Sequence, residues 1–184
     1  MNMRPGVRRL ALVAHVGCSV GWLGAIVTSL VVAVAGVASG DGLVVRATYL
    51  TLEVIGWYAL IPLSLASLVT GLIQSLGTTW GLLRHYWVVV KLLMNVAATG
   101  VLLLYMQTLT YLAHQARAAT TAADLDRLRS PSPVVHAAAA VTLLGVALIL
   151  SIYKPRGLTG YGQRVQRRQR PAATIRTKEG SARR

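Results

Sequence analysis

Between Tyr86 and Tyr111 the sequence YWVVVKLLMNVAATGVLLLYMQTLTY carries a single charged residue, Lys91. As a helix it would rise about 39 Å, more than the ~30 Å hydrocarbon core of a bilayer requires. The stretch predicts a membrane span, and the rest of the chain is expected to supply its packing partners. Lys91 and Asn95 lie one turn apart, and Ala98, Leu102 and Tyr105 continue the same face. A charge inside hydrocarbon costs roughly 2.5–3.5 kcal/mol on insertion scales, so this face is expected against protein, water or a ligand.

Three further apolar segments fall on either side. The first follows the basic start MNMRPGVRRL and runs from Leu10 to about Ala38. Its opening resembles a signal-peptide n-region, but the segment far exceeds the ~7–15 residues of a signal h-region, which predicts a retained span. Gly17, Gly21 and Gly24 give it a small-residue face for close helix approach, and His15, Cys18, Trp22, Ala25 and Ser29 form a second stripe. Residues 36–48 read as a loop, and residues 50–76 as the second span. There Glu53, Trp57, Leu60, Ser64, Ser67, Gly71 and Gln74 alternate at intervals of four and three, the seam of a left-handed helix pair. Pro62 is expected to kink that helix. The third span is predicted over 86–112 and the fourth over 134–153. Between them Thr121, three residues before Asp124, signals the cap of a short helix.

A chain of 184 residues with 54% hydrophobic and 13% charged residues and a mean hydropathy of +0.56 has no room for a separate soluble domain beside four spans. The fold class that follows is all-α, a four-helix transmembrane bundle over residues 1–155 with a basic tail, 156–184, expected to be disordered. Cys18 is the only cysteine, which excludes an intrachain disulfide and a cysteine-based metal cluster. Ten of the nineteen Lys and Arg residues lie between Lys154 and Arg184, and three precede the first span. That asymmetry places both termini in the cytoplasm, in agreement with an even number of spans. Lipid attraction accounts for the tail without invoking nucleic acid; the expected partners are the bilayer, anionic lipid, and a membrane-protein partner or a second copy of the chain.

Depth sorts the polar residues into two groups. His15, Trp22, Lys91 and Asn95, with Gln74 nearby, would form an inner cluster, with His85 at the interface on that side. Glu53, His114 and His136 would form an outer one. Haem b is the sharpest cofactor reading, because facing helices can supply axial imidazoles and a four-helix bundle can contain the macrocycle. Of the histidine pairs, His114 with His136 comes from different helices on one side. No Cys-x-x-Cys-His motif allows covalent haem attachment, and the outer residues are too scattered to predict a zinc site.

His15 followed by Trp22-Leu23-Gly24, together with Trp87-Val88-Val89-Val90-Lys91-Leu92, resembles the pattern of an uncharacterised bacterial family of four-helix integral membrane proteins. It is more distantly similar to the haem-carrying protoporphyrinogen oxidase and copper-resistance D membrane families, over residues 8–153. The resemblance implies a bacterial plasma-membrane protein with His15 as a haem ligand and Lys91 as its neighbour. Thr28, Ser29 and Tyr105 stand where the oxidase family carries an arginine and histidines, and the methionines do not cluster as copper handling would require. The expected function is therefore a structural or accessory component of a membrane complex with a haem or redox role. The alternative is a transporter or channel subunit acting as an oligomer.

Overall fold

The structure, a computed structural model, describes residues 4–77, 82–153 and 157–169. Lys154, Arg156, Trp80 and the tail beyond residue 169 lie outside them. The chain is all-helical in architecture: α1 (Pro5–Ala38), α2 (Gly42–Ile55), α3 (Ile61–Gly77), α4 (Tyr86–Ala118), α5 (Ala122–Leu128), α6 (Ser132–Tyr153) and α7 (Gly160–Gln169). A wide π turn, Gly56–Leu60, joins α2 to α3 in one continuous rod. Four helices are long and apolar enough to cross a membrane: α1, the α2–α3 rod, α4 and α6.

Local chemistry sets the helix ends. Pro5 begins α1, where its missing N–H costs nothing. Asp41 caps α2 by accepting from the Leu43 N–H at 2.8 Å. The predicted Thr121 cap is present as a capping box: the Asp124 N–H donates to Thr121 Oγ1 at 3.2 Å, and the Thr121 N–H donates to Asp124 Oδ2 at 3.0 Å. Hydrogen bonding by Thr121, side chain first and backbone second, holds the Asp124 carboxyl below its ordinary range.

A π turn stands just before Pro62, where a kink is expected. The Ile61 N–H reaches back to the Gly56 carbonyl, widening the helix just before the proline ring. The extra residue rotates the buried face. Leu52, Gly56, Leu60 and Ser64 are buried at three successive intervals of four, followed by Ser67, whereas Trp57, expected on the seam, is 51% exposed.

The four long helices form a ring. α1 packs against the α2–α3 rod and α6, and α4 packs against the rod and α6. Among the described residues the Cα atoms of the diagonal pairs, α1 with α4 and α3 with α6, stay more than 8 Å apart. Side chains must therefore fill the centre. Trp22, Ile26 and Leu60 do so, with Ala98, Leu102, Ala140 and Leu144 against them. Toward the end that carries the α1–α2 turn and α5, Ala33, Leu52, Met106 and Leu109 make a second cluster. At that end Tyr49 donates to the Leu128 carbonyl and accepts from the Ser130 N–H, and Arg46 donates to the Ala119 carbonyl. These bonds lace the α4–α6 connection onto α2.

Several expected boundaries move. The loop predicted over 36–48 shrinks to Ser39–Asp41, and α4 continues to Ala118 instead of ending near 112. The tail is ordered through Gln169: the Thr159 N–H donates to the Arg84 carbonyl at 3.0 Å, Thr159 also donates to the Leu83 carbonyl, and its Oγ1 caps the Gly162 N–H at 3.1 Å. That anchor gives a polar segment with little to bury a start for α7.

Of the three glycines predicted to allow close helix approach, Gly21 meets a neighbour: a Cβ there would touch Leu63 Cδ2 of α3 at 3.5 Å, an ordinary van der Waals contact. A Cβ on Gly17 or Gly24 would meet nothing within 4 Å among the described residues, but one on Gly36 would lie 2.6 Å from both Thr48 Cγ2 and Thr48 Oγ1. Thr48 is β-branched and cannot swing away, so Gly36→Ala must part α1 from α2 at a cost of about 1–3 kcal/mol. Thermal unfolding in detergent should show that loss for Gly36→Ala and little change for Gly24→Ala; equal midpoints would refute the close approach.

Candidate functional site

The centre of the ring is incompletely filled. A cavity of about 280 Å3 extends along α4 from Ala97 to Leu109, about 18 Å of helix. It is walled by all four long helices and almost wholly apolar, with Ile26, Leu60, Leu102 and Ala140 among its lining. Exposed residues of neighbouring helices, Ala97 and Val101 on α4 and His136 and Ala139 on α6, place its mouth at the α4–α6 seam. Small side chains on both helices leave that seam open.

A second cavity of about 100 Å3 lies toward the end bearing the chain termini, and is lined by His15, Ser19, Trp22, Ser67, Lys91, Asn95 and Ser151. The four residues of the predicted inner cluster therefore share one cavity; Gln74 does not line it, and its Nε2 is buried without a partner among the described residues. Lys91 Nζ donates to Ser151 Oγ at 2.6 Å, and that hydroxyl in turn donates to the Ala147 carbonyl at 2.8 Å. Ser19 and Ser67 bond each other across α1 and α3 at 2.9 Å. His15 Nδ1 lies 3.1 Å from Thr70 Oγ1, whose proton goes to the Ala66 carbonyl at 2.6 Å. Nδ1 is then the donor.

Trp22 belongs to both cavities, as does Leu143. Its side chain is only 3% exposed, yet its Nε1–H has no hydrogen-bond partner among the described residues. An unmade bond at a buried donor costs about 1–3 kcal/mol.

The three residues of the predicted outer cluster have separate surroundings. Glu53 pairs with Arg117, which sequence reasoning had assigned to a loop because it ended the third span too early. His136 stacks on Tyr105 at 3.8 Å between centroids, and its Nδ1 lies 2.9 Å from the Ser132 carbonyl. His114 is exposed on α4. Among the described residues no three His, Cys, Asp or Glu side chains gather as a metal site would need. Each cavity is lined by a single histidine, His136 in the larger and His15 in the smaller, so neither offers facing imidazoles to a haem. The residues present do not fit a bis-histidine haem. Ser151 and Thr70, the partners of Lys91 and His15, were missed because nothing in a sequence distinguishes them from other helix hydroxyls.

Comparison with protein-family models, curated proteins and solved structures finds no match to this chain. The site's meaning rests on its own geometry.

The Lys91–Ser151 bond joins α4 to α6 beside the cavity. A double-mutant cycle with Lys91→Met and Ser151→Ala isolates it from the cost of the charge, and the coupling should be about 0.6–1.7 kcal/mol, the range for interhelical bonds in membrane bundles. Additive effects on unfolding would show that the two side chains do not act together.

Proposed function

We propose that the protein is a multi-pass protein of a bacterial plasma membrane, with both termini cytoplasmic, and that it acts as an accessory component sheltering a membrane-soluble ligand in its central cavity. The carrying observation is the apolar cavity of about 280 Å3, walled by all four long helices and open at the α4–α6 seam. With those helices across a bilayer, the mouth faces acyl chains, and an apolar molecule enters without crossing water. The volume sits at the lower edge of the ~300–1,000 Å3 usual for small-molecule sites, and the apolar lining with a few polar groups matches such sites. The same geometry favours a lipophile over haem.

The orientation is supported by charge. Arg4, Arg8, Arg9, Arg84 and, on α7, Arg164 share the end where α1 begins and α6 finishes. Basic residues near an anionic leaflet contribute roughly 1 kcal/mol each, so α7 and the tail would hold that end to lipid.

A reporter that fluoresces only in the cytoplasm, fused after Arg184, should be active; activity of a periplasm-dependent reporter there would reverse the topology. Solvent extraction of protein purified in mild detergent should release a lipophilic molecule near one per chain, with no Soret band in the absorption spectrum. Filling the cavity with Ala98→Phe and Ala140→Phe should lower that yield several-fold at unchanged helicity. Equal recovery from the filled variant would overturn the ligand reading, and a Soret band lost on His15→Ala would return haem to the site.

A further inference from the structure

The small cavity is the polar end of the large one. Both touch Trp22 and Leu143, and along α4 the pair runs from Lys91 to Leu109, about 27 Å. One end is a cation and the other is hydrocarbon. Among the described residues Lys91 has no carboxylate partner: Asp41, Glu53, Asp124 and Asp126 all lie toward the opposite end of the bundle, and Glu179 is outside the described residues. Among the described residues its bond to Ser151 leaves two of the ammonium's three protons to be satisfied. A cation with unfilled donors selects an acceptor that is anionic.

We propose that the two cavities form one site for a long-chain carboxylate, with the carboxylate accepting from Lys91 Nζ and the alkyl chain lying in the apolar cavity. The proposal rests on reading the larger cavity as a ligand site and adds the class of ligand and its direction. The size of the polar cavity, about 100 Å3, argues for a bare carboxylate over a glycerophosphate headgroup. The near absence of polar lining in the larger cavity argues for an unsubstituted chain. A carboxylate with a charge-assisted hydrogen bond from a cation replaces solvation that it gives up on leaving the interface.

The test is equilibrium binding of radiolabelled hexadecanoate to the full chain in phosphatidylcholine nanodiscs, with empty nanodiscs as background. Saturable binding near one per chain is expected, weakened at least tenfold by Lys91→Gln and retained by Lys91→Arg, which keeps the charge. The methyl ester should bind at least tenfold less tightly than the acid. Circular dichroism and thermal unfolding establish that each variant is folded. Equal binding of acid and ester, unaffected by Lys91→Gln, would overturn the carboxylate site while leaving the cavity a site for neutral lipophiles. Lysophosphatidic acid binding as tightly as hexadecanoate would overturn the choice of headgroup. No saturable binding of acid or ester, with no lipophile recovered by extraction, would remove both readings.

Discussion

Trp22 is the contact on which the bundle depends. Four helices packed as a ring, with the backbones of its diagonals apart, cannot close around small side chains alone, and the indole of α1 reaches across to residues of the other three long helices. Aromatic side chains bury large areas for few lost rotamers, which suits one residue to the task. A single indole fills only one level of a long bundle. The unfilled levels on either side of it are the two cavities. Site and fold therefore share a cause: the residue that holds the helices together also divides the space they enclose.

The arrangement also explains where polar groups are tolerated. Ser64 and Ser67 are buried, and Ser64 donates to the Ile61 carbonyl while Ser67 pairs with Ser19. Hydroxyls can return their proton to the helix backbone and need no distant partner. Charged groups have no such option, and Glu53 meets Arg117 near the bundle end, where solvent weakens the pair's contribution to about 0–1 kcal/mol. Lys91 is the charged residue of the described spans for which the chain supplies only a hydroxyl.

Much of this was legible in the sequence. Four apolar segments, the Thr121 cap and the grouping of His15, Trp22, Lys91 and Asn95 all follow from hydropathy, capping chemistry and depth, quantities that residue number measures well along a straight helix. Rotation about the helix axis was legible less well. The seam through Glu53 and Trp57 was one residue out of phase before the π turn, because the added residue near Pro62 turns the preceding face by roughly 100°. Glu53, His114 and His136 matched in depth, but depth carries no azimuth, and Arg117 became Glu53's neighbour because α4 runs past the predicted end of its span. The close approach at Gly36 was invisible for a related reason: it depends on which face of α2 presents Thr48.

What remains is why a lysine should stand at position 91. Placing its charge within a span costs roughly 2.5–3.5 kcal/mol on insertion scales. The hydrogen bond to Ser151 returns about 0.6–1.7 kcal/mol, judged from interhelical bonds in membrane proteins. About 1–3 kcal/mol is then unrecovered inside the chain, comparable to the stability changes that decide whether many point variants survive. Leucine would have satisfied the packing. Departures from local consistency concentrate where a protein binds or reacts, and here the cavity that holds the uncompensated cation adjoins the apolar cavity at Trp22. A ligand with an anionic end and an apolar body matches both, which none of the chain's described side chains does.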